Sequence, residues 1–193
     1  MKPKLIVATD RHFAWMLGEV PGPKGLVLPP GGVETVETLR MLREMTASLR
    51  RRGCRASWLV VVGSEVVGLV SLLHAPDGDG QALFGYGIAA SRRGQGYGQA
   101  MVAALLAHVR TNPTLRTLTA ETRVDNLVSQ WVLAKNGFIR LGSRIDPEDG
   151  VVAVWQRDVR RWYLPHPKYL ARGVAWRLAS QVRRFYPGAP LGG

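Results

Sequence analysis

Cysteine is nearly absent: Cys54 is the single one in 193 residues. No internal disulfide can form, which excludes the small disulfide scaffolds and makes a cytoplasmic location the default expectation. Long apolar runs are missing too. Nothing approaches the roughly 18 uninterrupted apolar residues of a membrane span. The basic start Met1-Lys2-Pro3-Lys4 is followed by an apolar stretch that stops at Asp10-Arg11. A signal-peptide core needs about 7–15 such residues. His12, His74, His108 and His166 show no metal-ligand spacing, so no metal is expected. There is no internal repeat. Acids are scarce: 14 Asp and Glu stand against 26 Lys and Arg, a net of +12.

What is present is an ordinary soluble composition, 46% hydrophobic and 21% charged, at a length that suits one core. The charge is uneven. Residues 157–193 hold eight basic residues and one acid (Asp158), a net of +7, which leaves +5 for residues 1–156. Such a surface attracts anions: phosphates, nucleic acid, anionic lipid. Cys54 lies among Arg51, Arg52 and Arg55. That setting favours a thiolate, but no His-bearing motif accompanies it, so a nucleophile is not expected.

Periodicity gives the elements. Lys4 to Thr9 reads as an edge strand and Arg11 to Glu19 as a helix. Val20 to Gly32 is a Pro/Gly-rich loop. From Glu34 to Arg52, Val36, Leu39, Leu42, Met45 and Leu49 recur at helical spacing. Ser57 to Val62, Val66 to Leu73 and Gln81 to Ala90 form an antiparallel meander, turning at Gly63-Ser64-Glu65 and at Ala75 to Gly80. Tyr97 to Arg110 is a helix, Leu115 to Arg123 a strand, and Asn126 to Asn136 a helix stopped by Gly137. Phe138 to Leu141 and Val151 to Arg157 close a last hairpin. The result is an α/β fold of the mixed α+β kind. Its sheet has about six to seven strands, antiparallel in its first half, with helices on both faces. Strand–helix–strand order makes the fourth and fifth strands parallel. The domain spans 1–158. Residues 159–193 form a basic C-terminal extension, with Leu170, Val174, Leu178 and Val182 as an amphipathic stripe. That stripe packs on the domain or meets an anionic partner such as ribosome or RNA.

One loop carries the chemistry. Arg93-Gly94-Gln95-Gly96-Tyr97-Gly98 follows a strand and opens a helix. Glycines clear side chains from the backbone, the first helical amides lack intrahelical partners, and the macrodipole adds positive charge. Together these make a phosphate site. The spacing alone also fits a glycine-rich surface turn. A P-loop is excluded, because Gln99-Ala100 follows Gly98 instead of Lys-Ser/Thr. A dinucleotide fold is excluded, because three antiparallel strands come first.

Arg93-x-x-Gly96-x-Gly98 resembles the Gln/Arg-x-x-Gly-x-Gly/Ala signature of the GNAT acetyltransferase superfamily. Val67-Gly68-Leu69-Val70 and Phe84-Gly85-Tyr86-Gly87-Ile88 are similar to its third and fourth strands. Asn126-x-x-Ser129, followed by Lys135-Asn136-Gly137-Phe138, is similar to its Asn-x-x-Ser…Gly-Phe segment. The branch resembled most acetylates ribosomal-protein N-termini.

The resemblance implies acetyl-CoA as co-substrate. The amides of Gly94, Gln95, Gly96, Tyr97 and Gly98 would hold its pyrophosphate, with Arg92 and Arg93 at the rim. The backbone of Ile88, Ala89 and Ala90 would pair with pantetheine, and the Ile88 amide is the candidate oxyanion donor. It also implies that Glu121 draws a proton from the acceptor amine; pairing with Arg123 or another arginine is the alternative. Many relatives carry a general-acid Tyr where this chain has Leu133, which leaves Ser129 or solvent. Asn126 is expected to cap its helix, and the resemblance implies that it also contacts pantetheine. Gly85 and Gly87 share one face of the fourth strand, for packing or for substrate. The resemblance further implies a primary-amine acceptor, on a protein N-terminus or a small molecule, with Val20 to Gly32 as the candidate for one wall of its site. A monomer or homodimer is compatible with this. Two other functions stay open: a basic RNA- or ribosome-associated module on the same scaffold, and an acyl-CoA sensor without turnover.

Overall fold

A computed structural model describes residues 2–160. The stripe expected at 170–182, and with it the role of the extension, lies outside the described residues. In chain order the elements are β1 (Lys4–Val7), α1 (Asp10–Met16), α2 (Val36–Arg51), β2 (Ser57–Val62), β3 (Glu65–Leu72) and β4 (Gln81–Ile88). After a short 3-10 turn (Ala90–Arg92) come α3 (Tyr97–Val109), β5 (Thr117–Arg123), α4 (Leu127–Lys135), β6 (Ile139–Asp146) and β7 (Gly150–Asp158). They form one seven-stranded sheet in the order β1-β2-β3-β4-β5-β7-β6. β4 and β5 are its parallel pair; the other neighbouring strands in that order are antiparallel.

Both sheet faces are covered, which explains why β2 and β3 read as continuous apolar runs. Trp58, Val60, Val70, Leu72 and Phe84 pack with Met101, Leu105 and Leu133 of α3 and α4. On the other face Leu59, Val61, Val66 and Leu69 pack with Phe13, Leu39 and Leu42 of α1 and α2. Val159 remains buried, its amide on the Arg116 carbonyl, so the core extends one residue past the expected boundary at 158.

Two boundaries differ from expectation for local reasons. β4 ends at Ile88, not Ala90, because Ala89 enters the 3-10 turn and the Ala90 carbonyl accepts from the Arg93 amide. β6 runs on to Asp146, where Asp146 pairs with Gly150. It is an edge strand exposed along most of its length, so it carries no apolar alternation to read. No helix among the described residues is long and apolar enough to cross a membrane.

Leu105 is fully buried between α3 and the sheet. Leu105→Ala is expected to cost about 3 kcal/mol, in the usual range for such cavities. Urea titration would show this as a lower midpoint at unchanged slope.

Candidate functional site

The site begins where the sheet comes apart. β4 and β5 share only Gln81↔Thr117, Ala82↔Leu118 and Leu83↔Thr119. Both strands continue, but each keeps only its outer partner. β4 stays on β3 as far as Gly68↔Ile88, and β5 stays on β7 as far as Arg123↔Val152. A notch therefore opens between them. The Leu73 amide donates to the Leu83 carbonyl, and the Ala89 amide to the Val67 carbonyl. Alternation along an antiparallel ladder then turns the backbone groups of Tyr86 and Ile88 toward the notch. The Ile88 carbonyl accepts from Arg93 Nε at 3.2 Å, while its amide faces the opening.

Two residues past β4, the chain enters the glycine loop. Gly94 and Gly96 have φ of +76° and +78°, and a Cβ built on either would meet nothing within 4 Å. Gly96 caps α3 in the left-handed conformation without a side-chain bond. The helix's first bond to it is from the Ala100 amide. Among the described residues no acceptor lies at the amides of Gly94 to Gln99. Gly98 differs: its backbone is ordinary, and an added Cβ would sit 3.5 Å from Val132 Cγ2 of α4. Asn136 Nδ2 donates to the carbonyls of Gln99 (3.2 Å) and Val132 (2.9 Å), tying the end of α4 to the start of α3. The sequence reading passed over Asn136; its burial, at the C-cap of α4, is what gives it this role.

The expected charges divide. Arg92 does not serve the loop. It forms a two-bond pair with Glu65, at 2.6 and 2.7 Å, and holds that carboxyl below its usual range. Arg93 turns its Nε to the Ile88 carbonyl. Asn126 Oδ1 accepts from the Ser129 amide at 3.1 Å, the expected cap, and Ser129 sits in the first turn of α4. Leu133 is fully buried and carries no proton. A phenol does reach α4, but from β4: Tyr86 donates to the Ser129 carbonyl at 3.3 Å, and burial pushes it up to about 12.

Glu121 lies two residues beyond the last β4–β5 pair, half-buried on the less buried face of β5. Both its oxygens are engaged by Arg144, at 2.8 and 2.6 Å. Arg144, held more firmly charged by Glu121 and then Asp146, also reaches Asp146 at 2.9 Å. Arg123 pairs with Asp125 instead. Pairing, the alternative reading of Glu121, is the arrangement found. Cys54 also differs from its sequence setting, because burial pushes its thiol up, away from the thiolate.

On the face opposite Tyr86, Gly85 packs on Leu73, and a Cβ on it would sit 3.6 Å from Leu73 Cδ2. A Cβ on Gly87 would lie 2.0 Å from Glu34 Oε1, so the Glu34 carboxylate rests directly on the strand. The loop before α2 that carries Glu34 is pinned at two points. Ser91 Oγ donates to the Pro30 carbonyl at 2.8 Å, and Val27 bonds to the β2–β3 turn through Ser64 and Val66. The Val20–Gly32 loop is thus tied to the start of β3 and to the turn after β4.

This arrangement has known counterparts. The family described as Acetyltransferase (GNAT) domain matches residues 23–139. The chain belongs to that family. A ribosomal-protein-serine acetyltransferase of Escherichia coli (strain K12) is 29% identical over 113 residues, 58% of this chain and 63% of that protein. The chain thus spans somewhat under two thirds of that relative's length. Among solved structures, a RimL ribosomal-protein alpha-N acetyltransferase in complex with coenzyme A superposes with a TM-score of 0.64 at 21% identity, covering 83% of this chain and 96% of the other. An aminoglycoside acetyltransferase in complex with coenzyme A gives 0.61 at 18%, covering 81% and 94%. At these identities the two structures establish shared fold.

The glycines separate by conformation. Gly96→Ala forces an L residue into the left-handed region and is expected to lose about 1–2 kcal/mol. Gly98→Ala keeps a helical backbone in ordinary contact with Val132 and should hold or gain stability. Urea unfolding of both variants checks the contrast.

Proposed function

We propose that this chain is a cytoplasmic N-acetyltransferase that moves an acetyl group from acetyl-CoA to a primary amine on a protein N-terminus or a small molecule. The observation that carries the reading is the parted strand pair, which opens beside a run of unpartnered amides. An extended, amide-bearing chain ending in phosphates fits both halves. Its amides pair with strand-edge groups at Tyr86 and Ile88, and its pyrophosphate sits on the amides of Gly94 to Gly98 at a positive helix end. Arg93 adds charge there. The Ala89–Ala90 corner and the Asn126 cap flank the path, and Ser129 follows in the first turn of α4.

The chemistry needs a donor for the oxygen that gains charge. The Ile88 amide, facing the notch, takes this role. Pairing of the Ile88 carbonyl with Arg93 fixes the peptide on its other side. Attack by the amine expels a thiolate, and a thiol with an ordinary value near 8.5 needs no strong acid. Leu133 has no proton to give. Tyr86, at about 12, would donate uphill. Water therefore supplies this proton, with the Ser129 hydroxyl as its relay. Glu121 serves as the anchor for Arg144 and not as the base. Family membership and the similarity to the ribosomal-protein-serine acetyltransferase support the reaction class.

Calorimetry with acetyl-CoA should give a saturable heat, and Gly96→Ala should weaken it about tenfold, the equivalent of about 1.4 kcal/mol. No heat at millimolar acetyl-CoA would sink the enzyme reading. Glu121→Gln should leave kcat/KM within about threefold. A loss of about 100-fold, the scale of a missing base, would restore Glu121 to that role.

A further inference from the structure

Among the half-buried carboxylates of the described residues, Glu65, Glu121 and Asp146 are each ion-paired with an arginine. Glu34 is the exception. It is half-buried, yet no hydrogen bond or ion pair engages it among the described residues. In a chain with 26 Lys and Arg against 14 acids, a partly desolvated carboxylate without a cation leaves a strong acceptor unused.

Its placement is specific. Thr35 caps α2 through its side chain, so Glu34 stands just outside the helix. Its oxygen rests on Gly87, where only glycine leaves it room. Gly87 is next in sequence to Ile88, about 3.8 Å away along the backbone. The carboxylate therefore meets one sheet face at the residue beside the notch-facing amide.

We propose that Glu34 receives the ammonium group of the acceptor and takes its proton; this rests on the acetyltransferase reading above. The acceptor class is a primary amine that arrives as a cation. The carboxylate binds the ammonium and removes one proton. The freed nitrogen lone pair forms the N–C bond to the thioester carbonyl carbon of acetyl-CoA. The C–S bond breaks with its electrons on sulfur, and water protonates the thiolate. The new amide nitrogen loses its second proton to solvent, and Glu34 gives up the proton it took. The products are an acetylated amine and free thiol. Among the described residues the two oxygens of Glu34 face no competing arginine, unlike those of Glu121.

The test uses the full chain with acetyl-CoA and three amines: a seryl peptide with a free α-amine, an N-blocked lysyl peptide, and ribostamycin. Glu34→Gln keeps the shape and removes the charge. Gly87→Ala keeps the charge and pushes the carboxylate aside, a cheap shift because the crowded atom ends a flexible side chain. Each should lower kcat/KM about 100-fold on every amine the wild type acetylates, with the calorimetric affinity for acetyl-CoA within about twofold. The double variant should lose no more than the worse single one, because both disable one group. If either folded variant stays within about threefold of wild type, the assignment is overturned; should Glu34→Gln fail to fold, Gly87→Ala decides alone. Wild-type protein that binds acetyl-CoA but acetylates none of the amines also overturns it, and leaves the cofactor site standing. Absence of acetyl-CoA binding overturns the acetyltransferase reading and this inference with it.

Discussion

The structure turns on a hydrogen-bond ladder that stops early. After Leu83↔Thr119 the parallel strands share no further pair, yet neither frays. β3 holds β4, and β7 holds β5, through antiparallel ladders that run past the parting. Backbone groups left without a partner cost about 1–3 kcal/mol when desolvated. The two outer ladders and two packed faces keep them in place. The opening is thus a fixed feature of the sheet, and it displays peptide-like donors and acceptors to any chain of matching chemistry.

The second half of the site depends on the first. Because β4 ends at Ile88, the loop that follows emerges at the mouth of the notch and not beyond it. Left-handed glycines at 94 and 96 then bend the backbone so that amides lead. Asn136, bonded to Gln99 and Val132, holds that bend against α4. One buried amide side chain therefore sets where the helix points, and so where its positive end lies.

Much of this was legible in the chain. The glycine loop, the β4–α3–β5 unit, the Asn126 cap and the Gly137 stop are local signals, each contained within a few residues. What escaped is non-local. Glu121 and Arg144 lie 23 residues apart, and β6 and β7 bring them together in a strand with no apolar pattern. Arg92 looked like a rim charge beside Arg93, but Glu65, 27 residues earlier, claims it. Glu34 read as the first residue of a helix; only the Thr35 cap shows it lies outside. Its contact with Gly87 spans the chain from the loop before α2 to β4. The pair of glycines in β4 signalled a close approach but not what approaches.

Charge scarcity then acts as a selector. In a strongly basic chain most half-buried acids are claimed by arginine, and the claim decides their chemistry. A carboxylate in two-bond contact with guanidinium is held in one orientation, with both oxygens already partnered. Such a group can brace a hairpin, as Glu121 braces β6 through Arg144. A carboxylate with no cation retains both oxygens for an incoming one. Glu34, in the loop before α2, and Glu121, on β5, are the same residue type, distinguished among the described residues by the absence or presence of an arginine. The difference is one of position: Glu121 meets Arg144 across β7, whereas Glu34 lies on Gly87 with no arginine beside it among the described residues.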